Sequence, residues 1–250
     1  MAVVISQAER ENLEKEFWEK DPDERPGARS IGAVINKMGE APVFFAELNK
    51  YANEFGRSAD ILELGGGQLW SSCIAKAKYP NIRITGSDIS QHAVQSSSMW
   101  EAAFDVKLDA KITCTSYDIP VPDQSFDLVF AFQAAHHFGD HDTTLKEANR
   151  ILRPGGALLY AAEPVCSKLT YGVALRRVNR MRPVVQEDLL ILSDMKRLAL
   201  HHNFDLTVQP RAEILGASTA KVAYYTILKI APQLRSIMPN AASLLFVKPL

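Results

Sequence analysis

The spacing of apolar positions divides this 250-residue chain into a helical opening and an alternating remainder. Ser6 through Lys20 is a charged, helix-favouring run closed by Asp21-Pro22, and a second helical region, interrupted near Gly39, runs from about Ser30 to Phe55. From Asp60 onward, short apolar runs alternate with segments of helical period. Strands are predicted at Ile61–Leu64, Ile82–Thr85, Ala110–Thr115, Asp127–Phe132 and Gly156–Ala162. Helices fall between them at about Trp70–Lys78, Gln91–Phe104 and Thr143–Leu152. A helix at Ser193–His202, a strand at Asp205–Gln209, a long helix at Ser218–Ile237 bent near Pro232, and a last strand at Leu244–Pro249 follow.

Strand–helix alternation of this kind implies an α/β fold: parallel strands joined by right-handed crossovers, with ligand at their carboxyl ends. The expectation is a seven-stranded, mostly parallel sheet with helices on both faces. Two helical insertions, at about residues 164–190 and 217–238, are expected after the fifth and sixth strands. Residues 1–57 are expected to form a helical lid or cap and 58–250 the main domain, the two making one compact unit. No internal repeat or low-complexity linker divides the chain.

Composition narrows the function classes. With 47% apolar residues the chain can bury one large core. A formal net charge of -1 gives no general attraction to polyphosphate, so no nucleic-acid partner is expected. Cys73, Cys114 and Cys166 are odd in number and widely spaced, which indicates neither a disulfide framework nor a metal site. Met1–Ile5 is too short for a signal h-region, and no apolar stretch approaches membrane-spanning length. A soluble, cytoplasmic protein is the expectation.

The most informative residues are Ile61-Leu62-Glu63-Leu64-Gly65-Gly66-Gly67, an apolar strand ending in a glycine turn, and Ser87-Asp88 at the end of the next apolar run. Glycines between strand and helix let a ligand approach the backbone and the helix N-terminus. A carboxylate at Glu63 repels a pyrophosphate there and favours a ligand carrying ammonium and sulfonium charges. A nicotinamide dehydrogenase tolerates Glu63 poorly and wants a glycine where Trp70 stands.

Glu63-x-Gly65-x-Gly67 resembles the first motif of the class I S-adenosylmethionine-dependent methyltransferases. Pro122 to Phe130, running on to His136-His137, and Leu145-x-Glu147-x-x-Arg150 to Gly156 match further motifs of that family in order. The resemblance covers residues 58 to 165 and implies a Rossmann-like sheet with S-adenosylmethionine as cofactor. It implies that Glu63, Gly65, Gly66 and Gly67 receive the methionine moiety, that Asp88 accepts the ribose hydroxyls, and that Ile89 lies on the adenine. Tyr117 belongs to the same contact set. The adenine amino group falls to Asp118 if the loop is shortened, or to Thr115 on a gapless alignment. Gln133 faces the sulfur side. The third glycine of many relatives is Leu69 in this chain.

Methyl transfer needs alignment, exclusion of water and, for a hydroxyl or ammonium acceptor, a base. The candidates are His136, His137 and Glu163, set against a purely structural role in tying a loop to the next helix. Phe17 and Trp18 serve either as a lid or as core. Arg176, Arg177, Arg180 and Arg182, with Lys168, form either a solvated face or an anion site that would select an anionic acceptor. The apolar face of the 218–237 helix packs on the core, on a second subunit in a homodimer, or, with a sparser basic flank, on a membrane. The expected activity is methylation of oxygen or nitrogen on a small molecule such as a metabolite, quinone precursor, sugar or natural product. An RNA methyltransferase using the arginine-rich insert and a non-catalytic cofactor-binding protein are the alternatives.

Overall fold

The computed structural model describes residues 6–21, 31–180, 187–210 and 219–250. Helices α1 (Gln7–Lys20), α2 (Ile31–Lys50) and α3 (Ala52–Arg57) precede the sheet. Then come β1 (Asp60–Glu63), α4 (Trp70–Lys78), β2 (Arg83–Asp88), α5 (Gln91–Gln95), α6 (Ser97–Phe104), β3 (Ala110–Thr113) and β4 (Phe126–Phe132). A 3-10 turn at Ala135–His137 leads to α7 (His141–Ile151), β5 (Leu152–Cys166), α8 (Tyr171–Asn179), β6 (Leu190–Ile191) and α9 (Leu192–His201). The chain closes with β7 (Asp205–Pro210), α10 (Thr219–Ile230), a 3-10 turn at Pro232–Ser236 and β8 (Asn240–Val247).

The strand order is β3-β2-β1-β4-β5-β8-β7, with the short β6 pairing only with β5. β1 to β6 pair in parallel, while β8 runs antiparallel to both β5 and β7. The order reverses between β1 and β4, and that switch point opens a crevice at the strands' carboxyl ends. Central strands are buried on both faces, which is why Ile61-Leu62 and Leu128 to Ala131 read as unbroken apolar runs. One face packs on α7 and α9 through Leu145, Ile151, Met195 and Leu198. The other packs on α2 and α4 through Phe44, Leu48, Trp70 and Cys73.

Several boundaries differ from expectation. Helix α2 continues through Gly39 and contains Pro42. The helix expected over 91–104 divides at Ser96. The 1–57 segment is not all cap, because Phe44, Leu48, Tyr51 and Phe55 are core side chains. β5 runs from Leu152 to Cys166, so the start of the expected insert, Pro164 to Cys166, is strand. The reason is a partner the sequence does not announce: β8 begins at Asn240 and pairs with Glu163, Pro164 and Val165. Leu190-Ile191 also joins the sheet. The helix starts expected at Ser30 and Ser218, and Arg182, lie outside the described residues.

Candidate active site

The glycine turn is held from behind by β2. Ser87 donates its hydroxyl to the Glu63 carbonyl at 2.6 Å, and the Gly66 N–H donates to the Ser87 carbonyl at 2.8 Å. Gly65 and Gly67 have φ of 65° and 54°, which glycine adopts without strain. A Cβ on Gly67 would lie 2.6 Å from the Trp18 indole, so the absence of a side chain makes room for α1 above the turn.

Glu63 corrects the electrostatic expectation. Its carboxylate turns away from the crevice into the first turn of α4, where it accepts the hydroxyls of Ser71 and Ser72 and the Ser72 N–H at 3.1 Å. It caps the helix, as a carboxylate does favourably at a helix N-terminus. Burial pushes its carboxyl up to about 7. Leu69, in the place of a third glycine, has φ 60°. It fits because Gly86 on β2 leaves space for it: a Cβ there would lie 2.6 Å from Leu69 Cδ1.

In front of the turn lies a cavity of about 490 Å3 bordered by Gly65, Asp88, Ile89, Thr115, Tyr117, Gln133 and Phe138. Asp88 accepts the Gly67 N–H through Oδ2 and the Ser90 N–H through Oδ1, both at 2.8 Å, and burial raises its carboxyl to about 6. Each oxygen keeps a further lone pair for a ligand hydroxyl. Asp118 is not among the lining residues; the loop places Thr115, Ser116 and Tyr117 there. Gln133 follows β4 with φ 48° and also borders a second cavity.

Helix α1 crosses the first cavity. Arg10, Glu11, Glu14, Phe17 and Trp18, spaced three and four apart, all face it, yet no residue of α1 is fully buried. Tyr117 donates to Glu11 Oε1 at 2.6 Å and Arg10 reaches Asp188 at 3.5 Å, while Glu14 Oε1 stands 2.7 Å from His137 Nδ1 without hydrogen-bond geometry. The three-to-four spacing on one face was the sequence signal for these residues, of which only Phe17 and Trp18 were singled out.

The second cavity, about 580 Å3, is reached through Gly65, Gln133 and His137, which border both. It is enclosed by Val43, Phe132, Pro164, Val178, Tyr225 and Ala241 among others. Beneath it Glu163, fully buried, accepts the N–H groups of Ala134 and Ala135 at 2.9 Å and that of His136 at 3.3 Å, and pairs with His136 Nδ1 at 2.7 Å. His136 Nε2 is 2.6 Å from Glu187 Oε2. Burial opposes charge on this imidazole, but hydrogen bonds to the two carboxylates outweigh it and raise the ring to about 9. His136 borders the second cavity with both ring nitrogens engaged by carboxylates, and Glu163 lies fully buried beneath it. His137 differs, being half-buried, facing both cavities, and set between Glu14 and Glu187, the latter 3.5 Å from Nε2.

His136, His137 and Glu187 present ligand atoms within 4.8 Å of one another, so a cation there would have to displace the His136–Glu187 hydrogen bond. Arg176, Arg177 and Arg180 are exposed and border neither cavity. No helix among the described residues is long and apolar enough to cross a membrane.

Residues 62–160 match the protein-family model described as methyltransferase domain. The chain is 31% identical over 101 residues to 27-O-demethylrifamycin SV methyltransferase of Amycolatopsis mediterranei, across 39% of this chain and 36% of that protein. It is 31% identical over 91 residues to demethylmenaquinone methyltransferase of Staphylococcus aureus, across 36% of each. The chain thus spans well under half the length of these curated relatives. Among solved structures, phosphoethanolamine N-methyltransferase 2 of Haemonchus contortus, in complex with S-adenosyl-L-methionine, superposes with a TM-score of 0.68 at 17% identity, covering 99% of this chain and 61% of that one.

Proposed function

We propose that this chain, with its methyltransferase-domain match over residues 62–160, is a class I S-adenosylmethionine-dependent methyltransferase that transfers a methyl group to an oxygen or nitrogen of a small-molecule acceptor. The observation that carries this reading is the pair of cavities joined at Gly65, Gln133 and His137 under α1. The first suits a nucleoside: a carboxylate at Asp88 for the ribose, apolar Ile89 and Phe138 for the base, and glycine backbone for the amino-acid end. The second accommodates an acceptor. Similarity to enzymes named for rifamycin and menaquinone precursors supports a small-molecule class.

The bound cofactor supplies an electrophilic methyl carbon on a cationic sulfur. The chain does the rest. Asp88, Ile89 and Thr115 fix the donor, Gln133 closes the strand tip beside it, and α1 acts as a lid that excludes water. His137 is the base: its imidazole borders both cavities and would take the proton that the acceptor loses on methylation. Glu14 lies beside Nδ1, which leaves Nε2, 3.5 Å from Glu187, to receive the proton, while Glu163 and His136 position the loop that carries the ring. The 580 Å3 cavity supports this over a non-catalytic role, and the arginines' place outside it disfavours RNA as acceptor.

Calorimetry tests the reading. S-adenosylmethionine and its demethylated product should bind in the micromolar range, and Asp88→Ala should weaken both about tenfold to a hundredfold, as expected for lost charge-assisted hydrogen bonds. His137→Gln should keep binding but slow turnover. Absence of binding by either compound removes the proposal.

A further inference from the structure

Charge is distributed unevenly between the two halves of this nearly neutral chain. Residues 164–180 and 219–250 contain no Asp or Glu, while the chain as a whole has 29 acidic residues against 28 Lys and Arg. The structure brings these two acid-free segments together. The hydroxyls of Ser167 and Thr170, just before α8, donate to the Ile237 carbonyl at 2.8 and 2.7 Å, and Arg177 of α8 lies within electrostatic reach of Tyr224 of α10.

The outer face of this pair is both aliphatic and basic. Leu169, Val173, Ile227 and Ile230 are 84%, 73%, 56% and 78% exposed, and Ile237, whose carbonyl joins the two segments, is 44% exposed. Arg176 and Arg177 on α8, Lys168 and Arg180 flanking it, and Lys229 on α10 are all exposed. Monomeric proteins rarely leave so much aliphatic surface together without a partner. Side chains standing this far out do not line a groove. A rigid protein partner would need a matching pocket for each, whereas an acyl-chain phase receives them without one. The flanking cations favour an anionic surface, at about 1 kcal/mol each near a charged bilayer.

We propose that the α8–α10 face docks peripherally on an anionic lipid bilayer. The consequence for the substrate follows from position: Val178 of α8 and Tyr225 of α10 border the second cavity. A docked molecule therefore opens that cavity beside the bilayer, where it admits a lipophilic, membrane-partitioned acceptor. This substrate class rests on the methyl-transfer reading; the docking does not.

The test uses the full chain in flotation assays with phosphatidylcholine vesicles, with and without about one third phosphatidylglycerol. Binding to the anionic vesicles only, weakened by salt, is the expected result. Arg176→Gln with Arg177→Gln should lower the partition coefficient about thirtyfold, and Ile227→Gln with Ile230→Gln at least about tenfold, while Lys146→Gln on α7 leaves it unchanged. All are exposed positions, so folding should survive. No binding to anionic vesicles, equal binding to both kinds, or insensitivity to both double variants overturns the proposal. So does a saturable complex with an acidic acyl carrier protein in the absence of vesicle binding, which assigns the face to a protein partner. Calorimetry with S-adenosylmethionine on the same preparations separates the two readings: cofactor binding without vesicle binding sinks the docking alone, and vesicle binding without cofactor binding supports the docking and sinks methyl transfer.

Discussion

Leu69 and His136 show how single residues are set by what surrounds them. Leu69 holds a left-handed backbone that costs a non-glycine residue about 1–2 kcal/mol. It is fully buried, and burying a leucine returns about 1.5–3 kcal/mol, so packing against Gly86 outweighs the strain. His136 sits between Glu163 and Glu187, with its ring raised to about 9 against an ordinary value near 6.5. The folded state therefore holds this proton more tightly than the unfolded chain. The stabilisation is fully present below about pH 6.5 and is lost as pH climbs through about 9. Melting temperature measured from pH 6.5 to 9.5 should fall more steeply for the native chain than for His136→Gln. Parallel curves would show that the imidazolium is not the group responsible.

Among the elements, α1 is the one whose role depends least on the core. Its capping box, with Ser6 and Glu9 bonded reciprocally, makes the helix locally self-sufficient. Its contacts with the body run through Glu11, Glu14 and Arg10 at the edge of an open cavity. Trp18 is the contact through which it meets the glycine turn. Trp18→Ala should weaken S-adenosylmethionine binding about tenfold, through lost apolar contact, while shifting unliganded stability by no more than about 1 kcal/mol. Calorimetry and thermal melts read the two quantities separately; an unchanged affinity removes the lid role. β5 teaches the opposite lesson. Its extension through Val165 to Cys166 depends on β8, roughly eighty residues further along the chain, and on β6, so no local period foretells it.

At the scale of the whole molecule, the sheet brings distant segments to one crevice, and a ligand bound there is linked to global stability. S-adenosylmethionine at a hundred times its dissociation constant should add about 2.7 kcal/mol, raising the melting temperature by roughly 5–10 °C. A melt unmoved by saturating cofactor contradicts the proposed site. The sequence alone determined the alternating architecture, the glycine turn, Asp88 at the second strand tip and the histidine pair, because local period and backbone conformation are written in neighbouring residues. It did not determine where side chains point. Glu63 faces α4 rather than the crevice, Thr115 rather than Asp118 lines the first cavity, and His137 rather than Glu163 borders the second. Glu14 reaches the site from α1 and Glu187 from the loop before β6, far apart in the chain. Each of those outcomes depends on contacts between segments far apart in the chain, and only packing in three dimensions brings them within hydrogen-bonding distance.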